Sequence, residues 1–148
     1  MISFLKKLKN HKIALDTMVF IYAFENHPSY LPFVKPLFHE VEKGEMEAVT
    51  STLTMAECLV QPYKRKDTIL AVHYRVLFRN FPHLSVLPLT EEIADRTAFL
   101  RANYRLRTPD AIQLATAFVA KCYAMITNDA NLPPVEGIHI LVLDRLLQ

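Results

Sequence analysis

The chain has 148 residues, 51% hydrophobic and 22% charged, with a formal net charge of +2. That composition excludes intrinsic disorder and suffices for one domain with a proper core. A charge so near neutral gives no argument for nucleic-acid binding from the global field, so such binding must rest on local clusters.

Residues 1–11, within MISFLKKLKNHK, have a basic face and an apolar one but lack the long apolar region and cleavage site of a signal peptide. They read as a helical extension docked on the domain. No run of about 18 apolar residues occurs, so no membrane span is expected and the cytoplasm is the expected compartment. KIALD (12–16) reads as a first buried strand, and Tyr30, Phe33, Val34, Leu37, Phe38 and Val41 recur at helical spacing. EAVTS (47–51) is a second strand, followed by a helix from near Thr54. Ile69, Val72, His73, Val76 and Leu77 mark another helix, with Arg75 and Arg79 on its opposite side. LSVLP (84–88) is a third strand, and 90–104 a helix with Ile93, Thr97, Leu100 and Tyr104 on one face. In RLRTPDAIQLATAFVAKC (105–122), Thr108 is the expected N-cap, Pro109 the first helical residue, and Asp110 an acid in the first turn. AMIT (124–127) and IHILVL (138–143) complete five strands.

Strands alternating with helices predict a parallel sheet covered on both faces. With only two glycines, no repeat and no low-complexity segment, residues 1–148 read as a single domain. Cys58 and Cys122 sit in apolar stretches without ligand spacing and are expected to be free, buried thiols.

In such sheets the ligand crevice lies beyond the carboxyl ends of the strands. Asp16 and Asp129 follow the first and fourth strands, Glu57 follows the second by about a helical turn, and Asp110 opens a helix. Each acid alone has an ordinary explanation as a cap, an outward residue or a turn residue. Together they can reach one crevice, where four carboxylates would not all stay ionised without a cation. Oxygen-only ligands suit Mg²⁺ or Mn²⁺, and no Cys or His stands at zinc-ligand spacing. Such a cluster commonly serves phosphodiester hydrolysis.

The segments IALDTMVFIYAFE, TSTLTMAECL, RTPDAIQLATA and ITNDANL, in this order, resemble the four acidic motifs of PIN-domain ribonucleases. The likeness is greatest to VapC-like toxins of toxin–antitoxin pairs, and it covers about residues 12–143. The resemblance implies a three-layer α/β/α sandwich around a central parallel sheet. It implies metal-binding roles for Asp16, Glu57, Asp110 and Asp129, with Thr17 and Thr127 as supporting hydroxyl residues. It also implies Mg²⁺- or Mn²⁺-dependent cleavage of RNA, a homodimer and an inhibiting antitoxin protein. Family members often continue the fourth motif with a further acid and an aromatic residue. Here Asn131 and Leu132 follow, which puts a second metal in doubt.

Substrate phosphates need basic neighbours. Arg107, beside the third motif, is the first candidate. Arg101 and Arg105, read as one helical turn apart, and Lys64 and Arg65 in YKRKD are the others. His73, His83, Tyr22 and Phe24 suit packing or turn positions. No Cys–His or Ser–His constellation offers a nucleophile. A phosphohydrolase with a nucleophilic aspartate would need a second acid where Met18 stands. A catalytically inactive module that binds RNA or protein is the competing non-enzymatic reading.

Overall fold

The computed structural model describes residues 2–147. It is a three-layer α/β/α sandwich. The elements run α1 (Ile2–Leu8), β1 (Lys12–Leu15), α2 (Thr17–Phe24), α3 (Leu31–Glu42), β2 (Glu47–Ser51), α4 (Thr52–Lys64) and α5 (Thr68–Asn80). They continue with β3 (Leu84–Leu87), α6 (Glu91–Asn103), α7 (Thr108–Val119), β4 (Ala124–Thr127), β5 (His139–Val142) and α8 (Leu143–Leu146).

The strands pair in the order β3-β2-β1-β4-β5, and every pairing is parallel. Ile13 of β1 aligns with Ala48 of β2 and Ala124 of β4, which fixes the register at the centre. Alternation along the strands feeds two cores. Ile13, Leu15, Ala48 and Ile126 join a cluster with Val19, Phe20, Phe33 and Leu37. Ala14, Val49 and Met125 point the other way, onto Ala111, Leu114, Ile93 and Leu100. Ile13, Ile126 and Leu114 are completely buried, each worth about 1.5–3 kcal/mol relative to exposure. In α1, Phe4 and Leu5 pack against the first cluster and Leu8 is buried within it.

Three local expectations are corrected. The N-cap of α7 is Arg107, in extended conformation, and Thr108 is the first helical residue. The inward face of α5 is Ala71, Tyr74 and Phe78, because Tyr74 stacks on Phe24 and Phe78 meets Phe20. Ile69, Val72 and Val76 are exposed, and so is His73. The run IHILVL is strand only through Val142, and Leu143 opens α8. Among the described residues no helix is long and apolar enough to cross a membrane. Cys58 and Cys122 are free and buried, and burial pushes both thiols up to about 12.

Candidate active site

All five strands run the same way, so their carboxyl ends share one edge. A helix leading into a parallel strand must run back along the sheet, which brings its N-terminus to that edge. This places Asp110, third residue of α7, near the ends of β1 and β4.

Asp16 leaves β1 and caps α2, with Oδ1 accepting from the Thr17 amide at 2.8 Å. Its Oδ2 accepts from the Thr127 hydroxyl at 2.7 Å. Thr127, completely buried, accepts in turn from the Asp129 amide at 3.1 Å. One hydroxyl therefore ties the first and fourth acids together. Asp129 Oδ1 accepts from the Asn131 amide at 2.9 Å, which turns the loop after β4. Thr17 donates to Glu57 Oε1 at 2.8 Å, so the second acid is joined to the first through its neighbour.

Burial raises the Asp16 carboxyl above its ordinary 3.8, against the lowering effect of its two hydrogen bonds, and the charges of Asp110 and Glu57 raise it further. Both acids are thus close enough for their fields to reach Asp16. Asp16, Asp110 and Asp129 line one cleft of about 560 Å³ with Met18, Arg105, Arg107 and Asn128. Glu57 instead lines a separate cavity of about 440 Å³, together with Arg65, Gln61 and Tyr74.

The basic candidates divide. Arg107 lies beside Asp110, Nε to Oδ2 3.5 Å, and Arg105 shares the cleft. Arg105 is outside α6, which ends at Asn103, so it does not stand one helical turn from Arg101. Arg101 donates through Nε to the Leu106 carbonyl at 3.2 Å and braces the loop ahead of α7. Lys64 is an exposed residue in the last turn of α4.

The set is all carboxylate oxygen, a donor chemistry that fits a hard divalent cation such as Mg²⁺ or Mn²⁺. Among the described residues no three acids are gathered closely enough to ligate a single ion. Like charges oppose such a gathering, and Asp110 is turned instead toward Arg107.

Two further polar residues escaped the sequence reading. Gln113 is 5% exposed and donates to the Thr17 and Thr54 hydroxyls. Asn128 donates to the Tyr22 hydroxyl at 2.9 Å and accepts from the Asp144 amide at 3.0 Å, pinning the loop that carries Asp129. Gln113 stands one turn after Asp110, and Asn128 is adjacent to Asp129. Those positions were the available signal.

A parallel α/β sandwich with acids at the carboxyl edge of its central strands defines the class. The PIN domain family model matches residues 13–137, and the chain belongs to that family. No curated protein sequence matches it. Among solved structures it resembles VapBC2 from Rickettsia felis, bound to a DNA fragment from its promoter. That match has a TM-score of 0.68 and 15% identity, covering 87% of this chain and 96% of that one. It also resembles VapC20 from Mycobacterium tuberculosis, a sarcin–ricin loop cleaving toxin (TM-score 0.64, 14% identity, 80% and 91% covered). A toxin–antitoxin complex from Klebsiella pneumoniae matches with a TM-score of 0.60 and 23% identity, over 85% and 94% of the chains. At these identities the likeness is one of fold.

Proposed function

We propose that the protein is a divalent-metal-dependent endoribonuclease, the toxin of a toxin–antitoxin pair. The observation that carries this reading is the cleft in which Asp16, Asp110 and Asp129 lie beside Arg105 and Arg107. Asp16, Glu57, Asp110 and Asp129 would hold Mg²⁺ or Mn²⁺, which supplies Lewis acidity and charge neutralisation for phosphodiester hydrolysis. Thr127 holds the Asp16 carboxylate in place, and Thr17 does the same for Glu57. Arg107 and Arg105 meet the phosphates of the substrate, and Arg65 meets the strand on the Glu57 side. Water adds across the phosphorus–oxygen bond, with no covalent enzyme intermediate.

The toxin role rests on the family and on the likeness to structures described as toxin–antitoxin complexes. A small antitoxin is the proposed partner, closing the acidic cleft with a basic side chain. A homodimer is proposed as well. Its apolar contact is the exposed stripe of Ile69, Val72 and Val76, with Val60 and Tyr63 of the neighbouring helix.

Cleavage of a labelled RNA tests the reading. Mn²⁺-dependent cutting that EDTA abolishes and that Asp16→Asn lacks is the expected result. An Asp16→Asn protein that cuts as fast as the wild type overturns the assignment. A wild type that binds RNA but never cuts it would instead be a binding module.

A further inference from the structure

A row of oxygens crosses from the end of β1 to α4: the Leu15 carbonyl, the hydroxyls of Thr50, Thr54 and Thr17, and the Glu57 carboxylate. Successive neighbours are 2.8, 2.8, 3.2 and 2.8 Å apart. Thr50 is 1% exposed, Thr54 0% and Thr17 6%, so water does not complete the row. A carbonyl and an ionised carboxylate only accept, and each hydroxyl carries one hydrogen. Four links therefore share three hydrogens.

One link must go without. The longest, 3.2 Å between Thr54 and Thr17, is that link. Thr50 then donates to Leu15, Thr54 to Thr50, and Thr17 to Glu57. This leaves two hydroxyl oxygens facing each other with lone pairs only. Gln113 stands at this gap, its Nε2 2.7 Å from Thr54 Oγ1 and 3.3 Å from Thr17 Oγ1. An amide nitrogen carries two hydrogens, one for each oxygen. The same count fixes the orientation of the amide, because Oε1 at this place would add an acceptor where a donor is missing.

We infer that Gln113 is a positioning residue whose amide supplies the missing donors, commits the Thr17 hydrogen to Glu57 and so holds that carboxylate against the neighbour of Asp16. Without the amide, Thr17 turns its hydrogen toward Thr54. Glu57, being exposed, then takes water instead. Gln113 follows Asp110 by three residues on α7, so a single helix sets the places of two acids. The consequence for the cation rests on the proposed metal site, whereas the order of hydrogen bonds does not.

The test has two parts. In metal-free wild type, NMR is expected to show a slowly exchanging Thr17 hydroxyl hydrogen with cross-peaks to the Gln113 side-chain amide. Absence of that contact overturns the inference whether or not the protein binds metal. Gln113→Met keeps the length of the side chain and removes the donors. It is expected to weaken Mn²⁺ binding by about 10-fold or more, the usual range for residues that orient a ligand. Thr17→Val is expected to do the same and Thr17→Ser to restore binding, while the double variant binds no more weakly than Thr17→Val alone. Wild-type affinity in Gln113→Met, or effects that multiply in the double variant, overturns the inference. A wild type that binds no Mn²⁺ refutes the nuclease reading, and the NMR contact still decides the role of Gln113.

Discussion

The Asp16→Asn variant changes the charge of the cleft while keeping its scaffold. Asparagine caps a helix as well as aspartate does. Its Oδ1 can keep the 2.8 Å bond from the Thr17 amide, and its Nδ2 can donate to the Thr127 hydroxyl. What goes is a carboxylate that burial holds above its ordinary 3.8. A higher pKa in the folded state means that the fold binds more protons than the unfolded chain. The contribution of Asp16 to stability is therefore full below 3.8 and is lost as pH rises through the folded value. At neutral pH the metal-free variant should melt above the wild type. Mn²⁺ should reverse the order. At a hundredfold excess over Kd, a cation that binds only the folded wild type adds about 2.7 kcal/mol. For a chain of 148 residues, at about 3 °C per kcal/mol, this is a rise of roughly 8 °C. Scanning calorimetry of both proteins, in EDTA and in Mn²⁺, reads both effects. Equal Mn²⁺ shifts in the two proteins, or a metal-free variant that melts lower, would refute the reasoning.

Arg107→Ala should leave stability within about 0.5 kcal/mol, since its guanidinium is mostly exposed and 3.5 Å from Asp110. RNA binding measured across salt concentrations should weaken, with the salt slope smaller by about one contact. Ile69, 82% exposed, should accept glutamate without loss of melting temperature. Light scattering should report a dimer for the wild type and a monomer for this variant, and an unchanged mass would remove α5 from the proposed contact. Cys58 and Cys122, with thiols pushed to about 12, should resist alkylation at pH 8 until denaturant is added. Rapid native labelling of either would contradict their burial.

The sheet was legible because its signals are local. Residues 13–15, 48–50 and 124–126 are short buried runs, and Asp16 is conspicuous among uncharged neighbours. The inward face of α5 was not. Ile69, Val72 and Val76 repeat at helical spacing, but so do Ala71, Tyr74 and Phe78, and only packing against Phe20 and Phe24 chooses between them. Spacing can count apolar residues on two faces of a helix without saying which is covered. The start of α7 was missed by one residue because a cap is defined by backbone conformation, and extended Arg107 satisfies it without a side-chain bond. Gln113 was hidden for another reason. Its partners Thr54 and Thr17 are 59 and 96 residues away, and a glutamine in a helix ordinarily faces solvent.

The order β3-β2-β1-β4-β5 also has a consequence in time. The chain builds outward from β1 to one side of the sheet, and only then returns to lay β4 against the other side of β1. Thr127 and Asp16, whose hydrogen bond closes the first and fourth acids together, are 111 residues apart. A chain in synthesis therefore carries Asp16 and Glu57 long before Asp129 has left the ribosome. The cleft cannot exist until the last strands are made. A protein whose proposed action is on RNA therefore has no assembled cleft while its first three strands are being made.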